Sequence, residues 1–213
     1  MSIKYNAVLF DFDGTLVDTM PIHSAAYRSV FAEMELELTH DDFFSNIGGS
    51  GPETIPRFLR GRAAPWSTAE IHRRKKQRLL ELLDDIELQP LPTANLLPLL
   101  YGRVPMAVAT SGARVGVDKM LDRLGWRRYF DAVVTAEDVT HSKPAPDLFI
   151  TAAARLGLAP QACLVFEDTD DGAAAGAAAG CRVVDIRSMA ASTACRQTTH
   201  DRRPMKSESH FAP

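Results

Sequence analysis

The chain has 213 residues, 46% hydrophobic and 24% charged, which suits a globular protein with one sizeable core and room for a smaller module. Its 24 basic residues against 27 acidic ones give a formal charge of -3. No strong field therefore recommends nucleic acid or an anionic membrane, and a small molecule is the expected partner. Met1 to Asn6 carries no signal-peptide pattern, and no apolar segment is long enough to span a bilayer. The three cysteines, Cys163, Cys181 and Cys195, lack metal-ligand spacing, so free thiols in a reducing cytoplasm are expected.

The first predicted strand, Ala7 to Phe10, is an apolar run that stops abruptly at Asp11 and Asp13, with Gly14 next for a turn. Nothing apolar explains two carboxylates at this place. From Leu16 to Met34 the apolar residues Ile22, Ala25, Ala26, Val30 and Phe31 fall closer to helical period than to alternation. Further helix starts follow at Thr39, at Pro52-Glu53 and at Ser67, where Glu70 completes a capping box. No strand is predicted between about Asp18 and Leu91, and Pro90-Leu91-Pro92 reads as a linker.

Strand signals resume at 106–109, 132–134, 163–166 and 182–186. Helices between them close on Gly125, Gly157 and Gly180. Strands alternating with helices of this length predict an α/β fold with a parallel, doubly wound sheet. The helical block is then an α-helical insertion after the first strand. The expected division is 1–18 with 92–187 as core, 19–91 as cap, and 188–213 as a disordered tail, since periodicity fails there. Gly176, inside an alanine-rich helix, is expected to allow a close approach to the sheet. Asp170 and Asp171 at that helix's start are explained by the helix dipole.

In a parallel sheet all strand ends of one kind share an edge, where ligands bind. That edge would gather Asp11 and Asp13, then Thr110-Ser111, Lys143-Pro144 and Glu167-Asp168. Carboxylates converging with a lysine and a hydroxyl suit phosphoryl transfer, in which oxygen ligands hold Mg²⁺ and the lysine neutralises phosphate.

Asp11-Phe12-Asp13-Gly14-Thr15-Leu16, Thr110-Ser111, Lys143-Pro144 and Glu167-Asp168 stand in the order and spacing of the four motifs of the haloacid dehalogenase superfamily, which the chain resembles from about Ala7 to Ile186. The resemblance implies a Rossmann-like core with a helical cap. It assigns Asp11 as a nucleophile that forms an aspartyl phosphate and Asp13 as general acid and base. Thr110, with Ser111 and Gly112 beside it, would bind the phosphoryl oxygens, and Lys143 would neutralise charge. Mg²⁺ would take Asp11, the Asp13 carbonyl and Asp168, with Glu167 assisting. The acid at Asp13 favours phosphate esters over carbon–halogen bonds.

The inserted cap resembles the branch of β-phosphoglucomutases and small sugar phosphatases, and three further stretches, 103–108, 129–134 and 143–147, look like bacterial fructose-1-phosphate/6-phosphogluconate phosphatases. Met20 departs from that branch, which usually has an acidic residue there. The loop 47–54 lacks the lysine and arginine with which the mutase grips a second phosphate, although Arg57 and Arg60 follow it. The expected activity is hydrolysis of a small phosphorylated sugar by a monomer, with a phosphomutase or a non-catalytic sugar-phosphate binder as alternatives. Gly49 and Ser50 in the cap loop are candidate substrate contacts. His23 is a further candidate, either bonded to Asp13 or substrate, or satisfied within its helix. The basic run Arg73-Arg74-Lys75-Lys76 with Arg78 reads as a solvated helix face, unless one of its cations enters the cleft; spacing does not choose which.

Overall fold

The computed structural model describes residues 5–47 and 51–188. Gly49, Ser50, Cys195 and the tail from 189 onward lie outside the described residues. Five parallel strands form the main sheet in the order β5-β4-β1-β6-β7: β1 (Ala7–Phe10), β4 (Met106–Ala109), β5 (Ala132–Val134), β6 (Cys163–Glu167) and β7 (Arg182–Asp185). β1 is central, and its residues are buried on both faces, which is why it reads as a continuous apolar run. The two-residue period sorts them. Val8 and Phe10 join Met106, Val108 and Phe166 on one face, while Ala7 and Leu9 join Ala107, Ala109 and Val165 on the other. Phe10 stacks on Phe166 with ring centroids 5.3 Å apart.

The second face is covered by α7 (Asp147–Arg155) and α8 (Asp170–Ala178), through residues such as Leu148, Phe149, Ala152 and Ala175. A Cβ on Gly176 would lie 2.7 Å from Val183 Cγ2, so that glycine does permit α8 to press on the sheet. The first face takes α5 (Leu96–Leu100) and α6 (Arg114–Arg123).

Four α-helices stand between β1 and α5: α1 (Met20–Glu33), α2 (His40–Asn46), α3 (Gly51–Leu59) and α4 (Thr68–Asp85). They enclose a separate cluster of Tyr27, Val30, Phe31, Phe43, Ile55, Phe58 and Ile71. The helix α4 serves two cores at once, with Ile71 in this cluster and Leu79 and Leu83 on the sheet face. Ser67 caps α4 by accepting from the Glu70 amide at 3.2 Å. The expected capping box is only half made, because the Glu70 carboxylate turns to Arg73 and Arg74 instead.

The prediction of no strand between 18 and 91 is corrected by a short antiparallel ribbon, β2 (Val17–Asp18) with β3 (Gln89–Pro90), which ties together the two ends of the inserted helices. Two-residue strands carry no periodic signal, and Pro90 at a sheet edge forfeits no ladder bond. Among the described residues no helix is long and apolar enough to cross a membrane. Cys163 and Cys181 are free thiols.

Candidate active site

The parallel sheet brings the carboxyl ends of β1, β4 and β6 side by side, and ladder bonds continue just past them. The Asp11 amide donates to the Phe166 carbonyl at 3.0 Å, and the Thr110 amide to the Val134 carbonyl at 3.0 Å. Asp11 and Thr110 are thus aimed by backbone. Lys143 Nζ reaches into this edge and donates to Asp11 Oδ1 at 2.5 Å and to Glu167 Oε2 at 2.7 Å. All three groups are buried, with Glu167 only 1% exposed. The other Glu167 oxygen accepts from the Thr169 hydroxyl at 2.8 Å and from the Asp168 and Thr169 amides. Asp168 in turn accepts from the Thr15 hydroxyl at 2.9 Å.

Two glycines are needed for this crowding. Gly14 has φ +83°, and a Cβ there would sit 2.2 Å from Asp168 Oδ2. A Cβ on Gly172 would fall 2.0 Å from the Glu167 carboxyl carbon. In both cases a side chain would displace a carboxylate.

Asp11, Glu167 and Asp168 each offer a carboxylate oxygen, and these oxygens lie within 4.8 Å of one another. The cluster carries more negative charge than Lys143 can balance. Burial, followed by Glu167, pushes the Asp11 carboxyl well above its ordinary range despite the nearby ammonium. Burial also raises Asp168, to about 6. Lys143 is held protonated, since Asp11 and Glu167 outweigh the burial that opposes its charge. Three hard oxygen donors with uncompensated charge fit a divalent cation of the Mg²⁺ type.

Asp13 faces the other way. Its carboxylate accepts from Thr110 Oγ1 at 3.2 Å and meets His23 Nε2 at 3.3 Å. The Gly112 amide donates to Thr110 Oγ1 at 2.9 Å, so the hydroxyl and amide expected to face phosphate are engaged with each other and with Asp13. Ser111 Oγ accepts from Ser142 Oγ at 2.7 Å. Behind His23, Lys75 Nζ lies 2.6 Å from Nδ1. Burial works to raise Asp13, yet the His23 hydrogen bond and the nearby positive charge prevail and hold it at about 2. His23 is lowered by burial and then by Lys75, and Lys75 is itself lowered by burial to about 8. At neutral pH this gives a chain of hydrogen bonds in which a Lys75 ammonium donates to neutral His23, whose Nε2–H donates to the Asp13 carboxylate.

The basic run is a solvated face except at Lys75 and Lys76, which realises the alternative that a cation of the run enters the cleft. Lys75 is 7% exposed and lines a cavity of about 250 Å³ that opens between the sheet edge and helices α1 and α4. The other cations of the run pair with acids: Arg73 and Arg74 with Glu70, Lys76, which also lines the cavity, with Glu137, and Arg78 with Glu81 and Glu33. Sequence spacing did hold a signal for Lys75, which occupies one position of the buried stripe Ile71, Lys75, Leu79, Leu83. His72, which also lines the cavity, carried none. The cavity gathers Asp11, Asp13, His23, Thr110, Ser111, Gly112, Lys143 and Glu167 from the candidate list, and Met20 adds an apolar wall. Arg60 pairs with Asp42 at 2.8 Å, away from it.

The profile of the "Haloacid dehalogenase-like hydrolase" family matches residues 8–186. The chain is 36% identical over 184 residues to fructose-1-phosphate phosphatase YqaB of Escherichia coli, covering 86% of this chain and 97% of that one. It is 31% identical to a phosphorylated carbohydrates phosphatase of Thermotoga maritima, with 82% and 81% covered. Its fold is similar to the crystal structure of CbbY from Rhodobacter sphaeroides in complex with phosphate, at a TM-score of 0.77 and 30% identity over 84% of each chain. With its parallel sheet, its four motifs at one edge and these relatives, the chain belongs to the haloacid dehalogenase-like hydrolase family.

Proposed function

We propose that this protein is a Mg²⁺-dependent phosphatase that hydrolyses a small phosphorylated sugar through an aspartyl phosphate. The observation that carries the reading is the buried Asp11 carboxylate, held by Lys143 beside Glu167 and Asp168, with Asp13 across the same cavity. The relatives named for fructose 1-phosphate and phosphorylated carbohydrates support the substrate class. In this reading, residues 1–18 and 92–187 act as the core and 19–91 as a cap over the cavity.

Asp11, Glu167 and Asp168 would hold the cation, together with the Asp13 backbone carbonyl. When bound, it would supply positive charge that lets an anionic nucleophile approach an anionic phosphate. Lys143 holds the Asp11 oxygen and neutralises charge on the transferring group. An Asp11 oxygen attacks phosphorus, an Asp11 O–P bond forms and the ester P–O bond breaks. The departing sugar oxygen takes its proton from Asp13. Asp13 rests ionised, so it must gain that proton on substrate binding, when the phosphate's charge offsets the pull of His23 and Lys75. Asp13 then removes a proton from water, which attacks the phosphorus, releases inorganic phosphate and restores Asp11. Water is the assigned acceptor, because Arg60, one of two arginines that a second phosphate would need, pairs with Asp42.

The test is phosphate release by purified protein from a panel of sugar phosphates, with and without Mg²⁺. Release that requires the metal supports the reading. No release from any compound contradicts it.

A further inference from the structure

The cavity wall opposite the carboxylates has one feature that the chemistry above does not use. Among the described residues, His72 Nδ1 and Thr19 Oγ1 are the buried side-chain polar atoms without a hydrogen-bond partner, and of the two only His72 lines the cavity. The His72 ring edge lies against Gly51, where a Cβ would stand 2.4 Å from Nδ1 and 3.4 Å from the Tyr27 hydroxyl. Buried polar groups are nearly always paired, and an unpaired one on a residue that lines the cavity points to a ligand that completes the set. Neutral imidazole has one donor and one acceptor, which matches an alcohol.

The charges around it point the same way. Three lysines line the cavity, and each has a protein partner: Lys143 with Asp11 and Glu167, Lys75 with His23, and Lys76 with Glu137. Asp171 adds negative charge to the lining. The lining therefore offers no uncommitted cation for a second anionic group among the described residues. His72 does not supply one, since burial and then Lys75 and Lys76 keep its ring neutral.

We propose that His72 is a specificity-determining residue that hydrogen-bonds a neutral hydroxyl at the non-reacting end of the sugar, so that the protein prefers neutral polyhydroxy monophosphates to compounds carrying a carboxylate or second phosphate there. This rests on the phosphatase reading and narrows its substrate class.

The experiment compares kcat/KM for sorbitol 6-phosphate, 6-phosphogluconate, fructose 1,6-bisphosphate and p-nitrophenyl phosphate, using the full chain and its H72A and H72Q variants. The unaltered protein should favour sorbitol 6-phosphate over both doubly anionic compounds by about 10-fold or more. In H72A the ratio of sorbitol 6-phosphate to p-nitrophenyl phosphate should fall about 10-fold, mainly through KM, and H72Q should recover part of it. Equal or better use of the doubly anionic compounds would overturn the proposal, as would H72A and H72Q variants that both keep the original ratio. A protein that hydrolyses p-nitrophenyl phosphate but shows no such preference sinks this inference alone. One that hydrolyses nothing sinks the phosphatase reading with it.

Discussion

The floor and the roof of the cavity are built on different principles. On the floor, Asp11 and Glu167 are buried and joined through Lys143, which donates to both, and continuing ladder bonds past β1 and β4 fix Asp11 and Thr110. The roof, made by α1 and α4, is held by side-chain packing, and its polar groups range from the linked pair His23 and Lys75 to His72, whose Nδ1 has no partner among the described residues. The floor is thus suited to one fixed chemistry. A helix face can exchange one residue for another at the same azimuth without disturbing the sheet, so the roof is where substrate choice can vary.

Substitutions on the two sides should separate accordingly. The largest effect is expected from Asp11→Asn, which should lower kcat by about 10⁴-fold or more while the circular dichroism spectrum stays native. Lys75→Met, on the roof, should cost about 10- to 100-fold in kcat by removing the ammonium whose hydrogen bond to Nδ1 fixes the His23 tautomer and aims Nε2–H at Asp13. Because Lys75 loses its proton as pH rises through about 8, kcat should decline above that pH in the unaltered protein, and the variant should lack this limb. A variant with the same alkaline decline would detach Lys75 from the reaction.

Gly172→Ala tests how tightly the floor is packed. A Cβ 2.0 Å from the Glu167 carboxyl carbon must move that carboxylate away from Lys143. The expected cost is about 1–3 kcal/mol, read from urea unfolding. The smallest effect concerns pH. Burial raises Asp168 from 3.8 to about 6, so the folded state binds more protons than the unfolded one between these values. Asp168 thus stabilises the metal-free protein fully below pH 3.8 and contributes less as pH rises through about 6. Thermal melts without metal should show a fall of a few degrees across that window, and millimolar Mg²⁺ should reverse it above pH 6.

The floor is largely legible in the sequence, for a physical reason. Carboxylates that interrupt apolar strands have no packing explanation, and a parallel sheet must bring such strand ends to one edge, so Asp11, Thr110, Lys143 and Glu167 could be placed together. The roof was less legible. A run of cations points around every side of a helix at about 100° per residue, so Lys75 is singled out only by its place in the stripe with Ile71, Leu79 and Leu83. His72 depends on the approach of α3 to α4 at Gly51, a tertiary contact with no local signature. The ribbon of β2 and β3 leaves no periodic trace in the sequence, because two residues are too few to alternate.

Covalent phosphorylation of Asp11 is read by mass spectrometry of protein quenched in acid during turnover of sorbitol 6-phosphate. One phosphoryl group is expected on the peptide containing Asp11, removed by hydroxylamine and absent from Asp11→Asn. Steady phosphate release by the unaltered protein with that peptide unmodified at every quench time, or release undiminished in Asp11→Asn, would contradict it.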